Sequence, residues 1–112
     1  MDDCLFCKIA AGQIPSNKLY EDDQLLAFYD IDPQAPTHFL VIPKEHIASA
    51  AEITPENAGM VAHIFATIAR ICAEHGWESY RVVTNCGEQA GQTVQHLHFH
   101  VLSGRDMTWP PG

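Results

Sequence analysis

Three histidines near the C-terminus alternate with apolar residues, and this pattern limits the possible folds more than any other feature. Residues 96–102 read His-Leu-His-Phe-His-Val-Leu. Side chains alternate between the two faces of a β-strand, so a strand here places all three imidazoles on one face. Leu97, Phe99 and Val101 then lie on the other face. The sequence therefore predicts a strand with an apolar face and a histidine face, which could hold a metal ion or a single phosphoryl group.

Short apolar segments separated by turn residues predict the remaining strands. The segments 18–21 and 25–29 flank the acidic turn Asp22-Asp23 and are typical of a β-hairpin. Further strands are predicted at 37–42, ended by Pro43, and at 80–85. Two prolines exclude a central strand at 32–36, because proline has no N–H for the ladder and restricts the preceding residue.

Two helices are predicted, one short and one long. The short helix covers residues 5–11 and ends at Gly12. Thr54 and Pro55 are suited to the N-cap and first turn of the long helix, and Gly76 is suited to end it. Its predicted buried face has spacings of three and four residues and consists of Ala58, Val61, Phe65, Ile68 and Cys72.

These elements favour an α+β architecture. One long helix cannot provide the crossovers that a parallel sheet needs, so most neighbouring strands should pair antiparallel. We therefore expect a single domain over residues 1–112. It should have about five mainly antiparallel strands, with the long helix on one face of the sheet.

Acidic residues outnumber basic ones, which limits the possible partners. Lys and Arg together number 6 and Asp and Glu 14, giving a formal net charge of −8. Nucleic acids and anionic membranes require clustered basic residues, so we expect neither as a partner. The sequence has no secretory signal pattern and no apolar run near the roughly 20 residues of a membrane span. We expect a cytoplasmic protein whose four cysteines are thiols or metal ligands.

Residues 96–102 resemble the H-φ-H-φ-H-φ-φ signature of the histidine triad, or HIT, nucleotide-binding proteins. Residues 30–43 and the Gly-Gln-Thr of 91–93 resemble the same family. The Met-Thr-Trp-Pro-Pro-Gly of 107–112 resembles the tail of its nucleoside phosphoramidase branch. The resemblance covers nearly the whole chain. It implies a HIT-like fold in which two chains join their sheets side by side as a homodimer, with the C-terminal segment approaching the neighbouring site.

The resemblance implies a catalytic role for each histidine of the triad. A neutral imidazole keeps a free lone pair and can attack phosphorus, and the resulting bond is labile to water. His98 is the implied nucleophile, which forms a nucleotidyl-histidine intermediate at the α-phosphorus. His100 would donate to the phosphate oxygens, and His38 would orient the triad. His96 would support His98, and the Thr93 hydroxyl would contact the phosphate and the leaving group.

The resemblance also implies a nucleotide-binding set. Asp30 would accept the ribose hydroxyl protons, Asn85 would contact the sugar-phosphate, and Gln92 lies beside Thr93. An apolar cleft would hold the base and would consist of Leu5, Phe6, Ile9, Phe28 and Ile31. On the residues alone, Asp30 also fits a turn cap and Asn85 a strand-end turn, while the five apolar residues also fit an ordinary core.

Cys4 and Cys7 have the C-x-x-C spacing of half a zinc site. A thioredoxin-like redox pair would instead need a preceding strand in a βαβ unit, which the sequence before Cys4 does not offer. In bacterial-type relatives such a motif is combined with two histidines, here His46 and His96. This resemblance implies a structural Cys2His2 zinc site and no cofactor required for catalysis.

The implied function is a purine nucleoside phosphoramidase. Such an enzyme hydrolyses the P–N bond of adenosine or guanosine 5'-phosphoramidates, and its substrates would extend to aminoacyl- or lysyl-adenylates. Two alternatives remain open. The first is a dinucleoside polyphosphate hydrolase that uses the same His98 chemistry and differs in its leaving-group pocket. The second is a nucleotide- or zinc-binding regulatory protein that acts through partners.

Overall fold

The computed structural model describes residues 3–112, so Met1 and Asp2 of the predicted domain lie outside the described residues. Over this range the chain forms two α-helices, five β-strands and two short 3-10 turns, Ala50–Glu52 and Glu88–Ala90. In chain order the elements are α1 (Leu5–Ala10), β1 (Lys18–Glu21), β2 (Leu25–Tyr29), β3 (Thr37–Pro43), α2 (Ala58–His75), β4 (Tyr80–Val83) and β5 (Phe99–Ser103). The predicted α+β fold with one short and one long helix is confirmed. Among the described helices, none combines the length and apolar character needed to cross a membrane.

The five strands form one sheet in the order β1-β2-β3-β5-β4, and every neighbouring pair is antiparallel. The last strand in sequence therefore lies between β3 and β4. In the β3–β5 ladder His38 pairs with Leu102 and Leu40 pairs with His100. Because His38 and His100 lie on the same face of adjacent strands, in diagonal positions, their rings are close enough to interact.

The sheet buries different residues on its two faces. One face packs on α2, with Phe39, Val41, Phe99 and Val101 from the strands meeting Ile68 and its helical neighbours. The other face packs on α1 through a smaller apolar cluster. This second cluster consists of Phe6, Ile9, Leu26, Phe28, Leu40 and Ile42. Alternation along each strand thus separates a large core from a smaller one, and the triad histidines lie on the side of the smaller core.

The start of the long helix was predicted wrongly. Helix α2 begins at Ala58, and the residues before it form a separate turn in which Asn57 N donates to Thr54 O at 3.1 Å. The Asn57 side chain also accepts from Thr54 N at 2.7 Å, so Thr54 caps no helix. The predicted end is confirmed, because Gly76 adopts φ +73°, a left-handed conformation that favours glycine at a helix end.

The buried face of α2 also differs from the prediction. Ile68 and Cys72 are buried as expected, but Ala58 is exposed and Phe65 is 47% exposed. The fully packed positions are Ile64, Thr67, Ile68, Ile71 and Cys72. Spacings of three and four residues fit two neighbouring rows of side chains on the same helix. The sheet packs on the row that begins at Ile64. Phe65 lies at its margin, where its ring meets Phe99 edge to face.

The histidine segment is only partly a strand. β5 begins at Phe99, so His96 and His98 precede it, and β4 ends at Val83 rather than Asn85. The alternation predicted for the segment is nevertheless present, because Leu97, Phe99 and Val101 all belong to the α2 core. Before β5, other groups replace the ladder: Leu97 N donates to Ile47 O, and the Thr84 hydroxyl donates to His98 O. Such single bonds hold the backbone extended without forming a strand.

Candidate active site

A cleft of about 760 Å³ opens on the α1 face of the sheet. Its apolar part is formed by α1, the following segment and the central strands, and includes Leu5, Phe6, Ile9, Ile14, Phe28 and Leu40. Its polar part includes Asp30, His38, Asn85, Thr93, His98 and His100. The cleft is therefore apolar at one end and rich in hydrogen-bonding groups at the other, as expected of a site for a small molecule with a polar group.

The structure brings most of the predicted site residues together at this cleft. Its lining includes all five residues predicted for the base, Leu5, Phe6, Ile9, Phe28 and Ile31. It also includes Asp30, Asn85, Thr93, His38, His98 and His100. Ile31 is fully exposed at the rim, whereas Phe6 and Phe28 are buried. Of the residues predicted to be catalytic or nucleotide-binding, Gln92 and His96 lie outside the lining.

Gln92 is buried and its side chain bonds to backbone groups. Its Oε1 accepts from Gly87 N at 2.9 Å, and its Nε2 donates to Ala48 O at 2.8 Å and to Val94 O at 3.0 Å. No free donor is left on this amide for a ligand. Gln92 instead fixes the loop that brings Gly91 and Thr93 to the cleft.

The ring of His98 is oriented by a backbone carbonyl and an aromatic edge. Its Nδ1 lies 2.7 Å from His96 O, and a carbonyl can only accept, so Nδ1 carries the proton. The Phe6 ring packs against the imidazole edge to face, with centroids 5.0 Å apart. With Nδ1 protonated, the neutral ring has its lone pair on Nε2. His98 is thus held in the tautomer whose Nε2 has a free lone pair.

His38 and His100 form a hydrogen-bonded chain that starts at the backbone. Gln34 N donates to His38 Nδ1 at 3.0 Å, so His38 carries its proton on Nε2. That Nε2–H points to His100 Nδ1 at 2.9 Å, its nearer acceptor, with Asp30 Oδ2 at 3.5 Å. His100 Nδ1 therefore accepts, and the neutral His100 ring carries its proton on Nε2. One backbone N–H thus determines the tautomers of two rings.

Burial keeps these rings neutral near pH 7. Burial lowers the pKa of His38, although the carboxylates of Asp30 and Asp32 oppose the shift. The pKa of His100 is lowered to about 4, first by burial and then by charge repulsion from His98 and His38. A neutral His38 can accept from Gln34 and donate to His100, which a doubly protonated ring cannot do. The lowered pKa values are thus consistent with the tautomers that the hydrogen bonds assign.

A second polar cluster lies beside the cleft, where the Phe6 ring contacts both His96 and His98. Cys4, Cys7, His46 and His96 each offer one ligand atom, and these atoms all lie within 4.8 Å of one another. His96 Nδ1 is 3.3 Å from Cys4 Sγ, and His46 Nδ1 is 3.2 Å from Cys7 Sγ. His96 Nε2 donates to Pro43 O at 2.8 Å, which leaves the Nδ1 lone pair facing the thiols. Two thiols and two imidazoles at this spacing fit a tetrahedral zinc ion.

This cluster is connected to His98 at two points. Cys4 caps α1 by accepting from Cys7 N at 3.3 Å, and Phe6 between them packs on His98. The carbonyl of His96 accepts the Nδ1–H of His98. In a metal-free cluster, burial and then the neighbouring Cys4 thiol raise the pKa of Cys7. A zinc ion held here would supply structural cross-linking and would favour the thiolate forms.

Sequence reasoning missed three groups that orient the histidines. They are the Gln34 N–H, the Pro43 carbonyl and the Thr84 hydroxyl, which donates to His98 O at 2.8 Å. Backbone donors and acceptors carry no residue-type signature, so only the structure could reveal the first two. Thr84 adjoins the predicted site residue Asn85, but a threonine at a strand end has many ordinary uses.

Comparison with known proteins identifies the family of the whole chain. A family profile described as "Scavenger mRNA decapping enzyme C-term binding" matches residues 3–109. An uncharacterized HIT-like protein of Synechococcus elongatus is 49% identical over 112 residues, which are 99% of this chain and 98% of the relative. The chain belongs to the histidine triad (HIT) family. Protein pkiA of Dictyostelium discoideum is 42% identical over 114 residues, covering 98% of this chain and 90% of that protein.

Solved HIT structures have the same fold. A HIT family hydrolase from Legionella pneumophila Philadelphia 1 superimposes with a TM-score of 0.95 at 46% identity, covering 98% of this chain and 100% of that chain. A histidine triad protein from Clostridium difficile gives a TM-score of 0.93 at 47% identity and 96% coverage of both chains. The HIT signature at residues 96–102 thus coincides with the segment that carries His98 and His100 in the cleft.

Proposed function

We propose that this HIT protein is a purine nucleoside phosphoramidase that acts through a nucleotidyl-His98 intermediate. The proposed substrates are adenosine and guanosine 5'-phosphoramidates, with aminoacyl- and lysyl-adenylates as related acyl phosphates. The observation that carries the proposal is the pairing of opposite tautomers at one cleft. His98 has a lone pair on Nε2, whereas His100 has a proton on Nε2. A nucleophile beside a neutral donor suits attack on an anionic phosphorus centre.

The reaction would proceed in two displacement steps. His98 Nε2 attacks the α-phosphorus, the bond from phosphorus to the leaving amine breaks, and the amine leaves with its electron pair and takes up a proton. Water then attacks the same phosphorus and releases a proton, which balances the proton taken up by the amine. The bond from phosphorus to His98 breaks, its electron pair returns to Nε2, and a nucleoside 5'-monophosphate is released. In both steps the His100 Nε2–H donates to a non-bridging oxygen, and the Thr93 hydroxyl contacts the phosphate and the leaving group.

The rest of the cleft supports a nucleotide as the substrate. Asp30 lines the cleft with its Oδ2 3.5 Å from His38 Nε2, a suitable position for accepting protons from ribose hydroxyls. Phe6 and Phe28 meet edge to face with centroids 5.7 Å apart at the apolar end, where a purine ring could lie. Asn85 lines the polar end and could donate its amide to the sugar-phosphate. These contacts recognise ribose and phosphate without selecting one purine.

The proposal extends to assembly, metal content and location. We propose a cytoplasmic homodimer in which the two sheets join side by side and the C-terminal segment reaches the neighbouring site. Trp109 is 81% exposed within one chain, which supports a contact with a second chain. Zinc at Cys4, Cys7, His46 and His96 is proposed to be structural, because four protein ligands leave no open position for substrate.

Turnover measurements on two substrates test the proposal. Adenosine 5'-phosphoramidate and diadenosine tetraphosphate are compared on the wild type, on His98→Ala and on His63→Ala. His63 is a matched control, since it lies on α2 and bonds Asp22 rather than the cleft. We expect the wild type to prefer the phosphoramidate and His98→Ala to lose at least about 10⁴-fold in kcat/KM. Mass spectrometry of a rapidly quenched wild-type reaction should detect a nucleotidyl adduct on His98.

Three outcomes would count against the proposal in different ways. A preference for diadenosine tetraphosphate would support the polyphosphate hydrolase reading. Activity that persists in His98→Ala would exclude His98 as the nucleophile. Tight binding of adenosine monophosphate without turnover of either substrate would favour a regulatory nucleotide-binding protein.

A further inference from the structure

The loop between β2 and β3 carries two of the groups on which the proposed chemistry depends. Asp30 begins this loop, and Gln34 supplies the N–H that sets the tautomers of His38 and His100. Asp30 is anchored by the sheet, because its N–H donates to His38 O at 3.0 Å. Gln34 lies beyond the ladder on an exposed stretch that contains the fully exposed Ile31. Within the loop, Asp32 N donates to Asp30 Oδ1 at 2.8 Å and Gln34 Nε2 donates to Asp32 O at 2.9 Å. Both bonds are exposed to solvent, so the position of the Gln34 N–H also needs a support from outside the loop.

That support comes from the turn after β5. The last pair of the β3–β5 ladder is Thr37 with Ser103, so the next residues, Pro36 and Gly104, face each other. Arg105 then lies beside the loop, and its Nε donates to Gln34 O at 3.1 Å. Its Nη1 donates to Asp106 O at 3.2 Å, which holds the guanidinium in place. Arg105 thus binds the carbonyl of the same residue whose N–H reaches His38.

Gly104 lets the turn approach the loop closely. Its φ is +97°, a backbone conformation that residues with a side chain rarely adopt. A Cβ at this position would lie 2.9 Å from Pro36 Cβ and 3.2 Å from Pro36 Cγ. Any larger residue would therefore push Pro36 and the rest of the loop away from β5. Gly104 and Arg105 act on the loop together, one through close packing and the other through a hydrogen bond.

We propose that Gly104 and Arg105 are positioning residues that clamp the 30–36 loop, so that the Gln34 N–H holds His38 and His100 in their working tautomers. The proposal rests on the proposed function for its kinetic consequences. When the clamp is lost, Gln34 N no longer constrains His38, which can move its proton to Nδ1. His38 Nε2 then accepts, His100 must protonate Nδ1, and the Nε2–H that faces the phosphate disappears. Asp30 stays anchored to the sheet.

Two kinds of variant separate the clamp from general damage. Arg105→Ala and Gly104→Ala weaken the clamp from outside the loop, and Arg105→Lys retains a donor. Gln34→Pro removes both the N–H and the side-chain bond to Asp32 O, while Gln34→Ala removes only the side-chain bond and is the matched control for the N–H. Arg70→Ala is a second control, because this exposed arginine lies on α2, packs over the Tyr20 ring and pairs with Glu74, and neither partner belongs to the loop. Circular dichroism and thermal unfolding identify any variant that fails to fold.

The main readout is the ¹⁵N spectrum of the histidine side chains, because protonated and unprotonated ring nitrogens have well-separated shifts. In the wild type we expect His38 and His100 each to be protonated at Nε2. Gln34→Pro should lose this pattern, and Arg105→Ala and Gly104→Ala should give a mixture of tautomers. Phosphoramidate turnover should show kcat lowered roughly three- to tenfold in Arg105→Ala, with KM nearly unchanged because Asp30 is not displaced. Arg105→Lys should be closer to the wild type.

The outcomes distinguish the clamp from the proposed function. Wild-type tautomers and wild-type kcat in folded Arg105→Ala and Gly104→Ala would overturn the clamp. An increase in KM with unchanged tautomers would also overturn it, since the loop would then act on binding alone. If the tautomers shift as expected while the wild type turns over no phosphoramidate, the clamp stands and the proposed activity fails.

Discussion

Removing one thiol from the Cys/His cluster should cost far more stability than removing an exposed cysteine. In Cys4→Ser the ion would lose one of four ligands, and α1 would lose the sulfur that accepts from Cys7 N. The cluster joins three distant parts of the chain, namely α1, the segment after β3 at His46, and the histidine segment at His96. Unfolding separates these parts, so a bound ion stabilises the folded state only.

The size of the effect follows from mass action. Free zinc at a thousandfold excess over its dissociation constant stabilises the folded state by about 4 kcal/mol. In a domain of about a hundred residues, 1 kcal/mol changes Tm by about 4 °C, so loss of the ion should lower Tm by about 15 °C. His96 would add to the loss, since it is completely buried and its Nδ1 would lose Cys4 Sγ and keep only Cys7 Sγ, at 3.5 Å.

Calorimetry and elemental analysis on matched variants would measure this loss. We expect about one zinc per chain in the wild type and in Cys86→Ser, whose exposed thiol lies outside the cluster. We expect little zinc in Cys4→Ser, with a Tm close to that of chelator-treated wild type. The reasoning would be refuted by a wild type that is metal-free after purification in zinc-containing buffer and whose Tm a chelator leaves unchanged.

Two further predictions concern the cleft. Phe6→Ala removes a 6%-exposed ring that packs on Phe28 and His98. Urea unfolding should show that the free energy of unfolding falls by about 3–5 kcal/mol, and kcat should fall. Leu5 is 44% exposed, so Leu5→Ala should mainly raise KM. The lowered pKa of His100, about 4, means that between pH 6.5 and 4 the unfolded chain binds more protons than the folded one. The stabilising contribution of His100 should therefore be fully present above pH 6.5 and be lost as the pH falls towards 4. In His100→Gln the urea midpoint should decrease less over this pH range. An unchanged slope in that variant would contradict the assignment.

The strands could be predicted from the sequence because their signals are local. The bounds 18–21 and 25–29 match β1 and β2, since alternation and the acidic turn lie within the segments themselves. The errors arose where distant contacts decide. Phe65 fits an apolar helical stripe, yet the sheet packs on the stripe of Ile64, and no local pattern distinguishes the two. β5 begins at Phe99 because its partner Val41 pairs there, which only the ladder reveals.

The candidate site likewise has residues that the sequence predicts and residues whose role only distant contacts decide. Residue types and spacing, combined with the family resemblance, predicted that Cys4, Cys7, His46 and His96 form one cluster, and the structure brings their ligand atoms together. Gln92 was predicted among the nucleotide-binding residues, but its amide bonds the backbone of its own loop and Ala48 O. In the sequence, a glutamine beside a site residue looks the same whether it binds a ligand or supports its own loop. Its hydrogen-bond partners depend on how the loop folds, which residue type and spacing do not specify.

The three histidines of the triad share one spacing but differ in the nitrogen that carries the proton, and in each case the cause lies in a backbone group. His96 donates from Nε2 to Pro43 O, which leaves Nδ1 for the thiols, whereas His98 donates from Nδ1 to His96 O. His100 accepts at Nδ1 through the chain that begins at Gln34 N. The proposed roles therefore cannot be exchanged among the three rings. A substitution that keeps every histidine but moves one of these backbone groups should still impair the proposed chemistry.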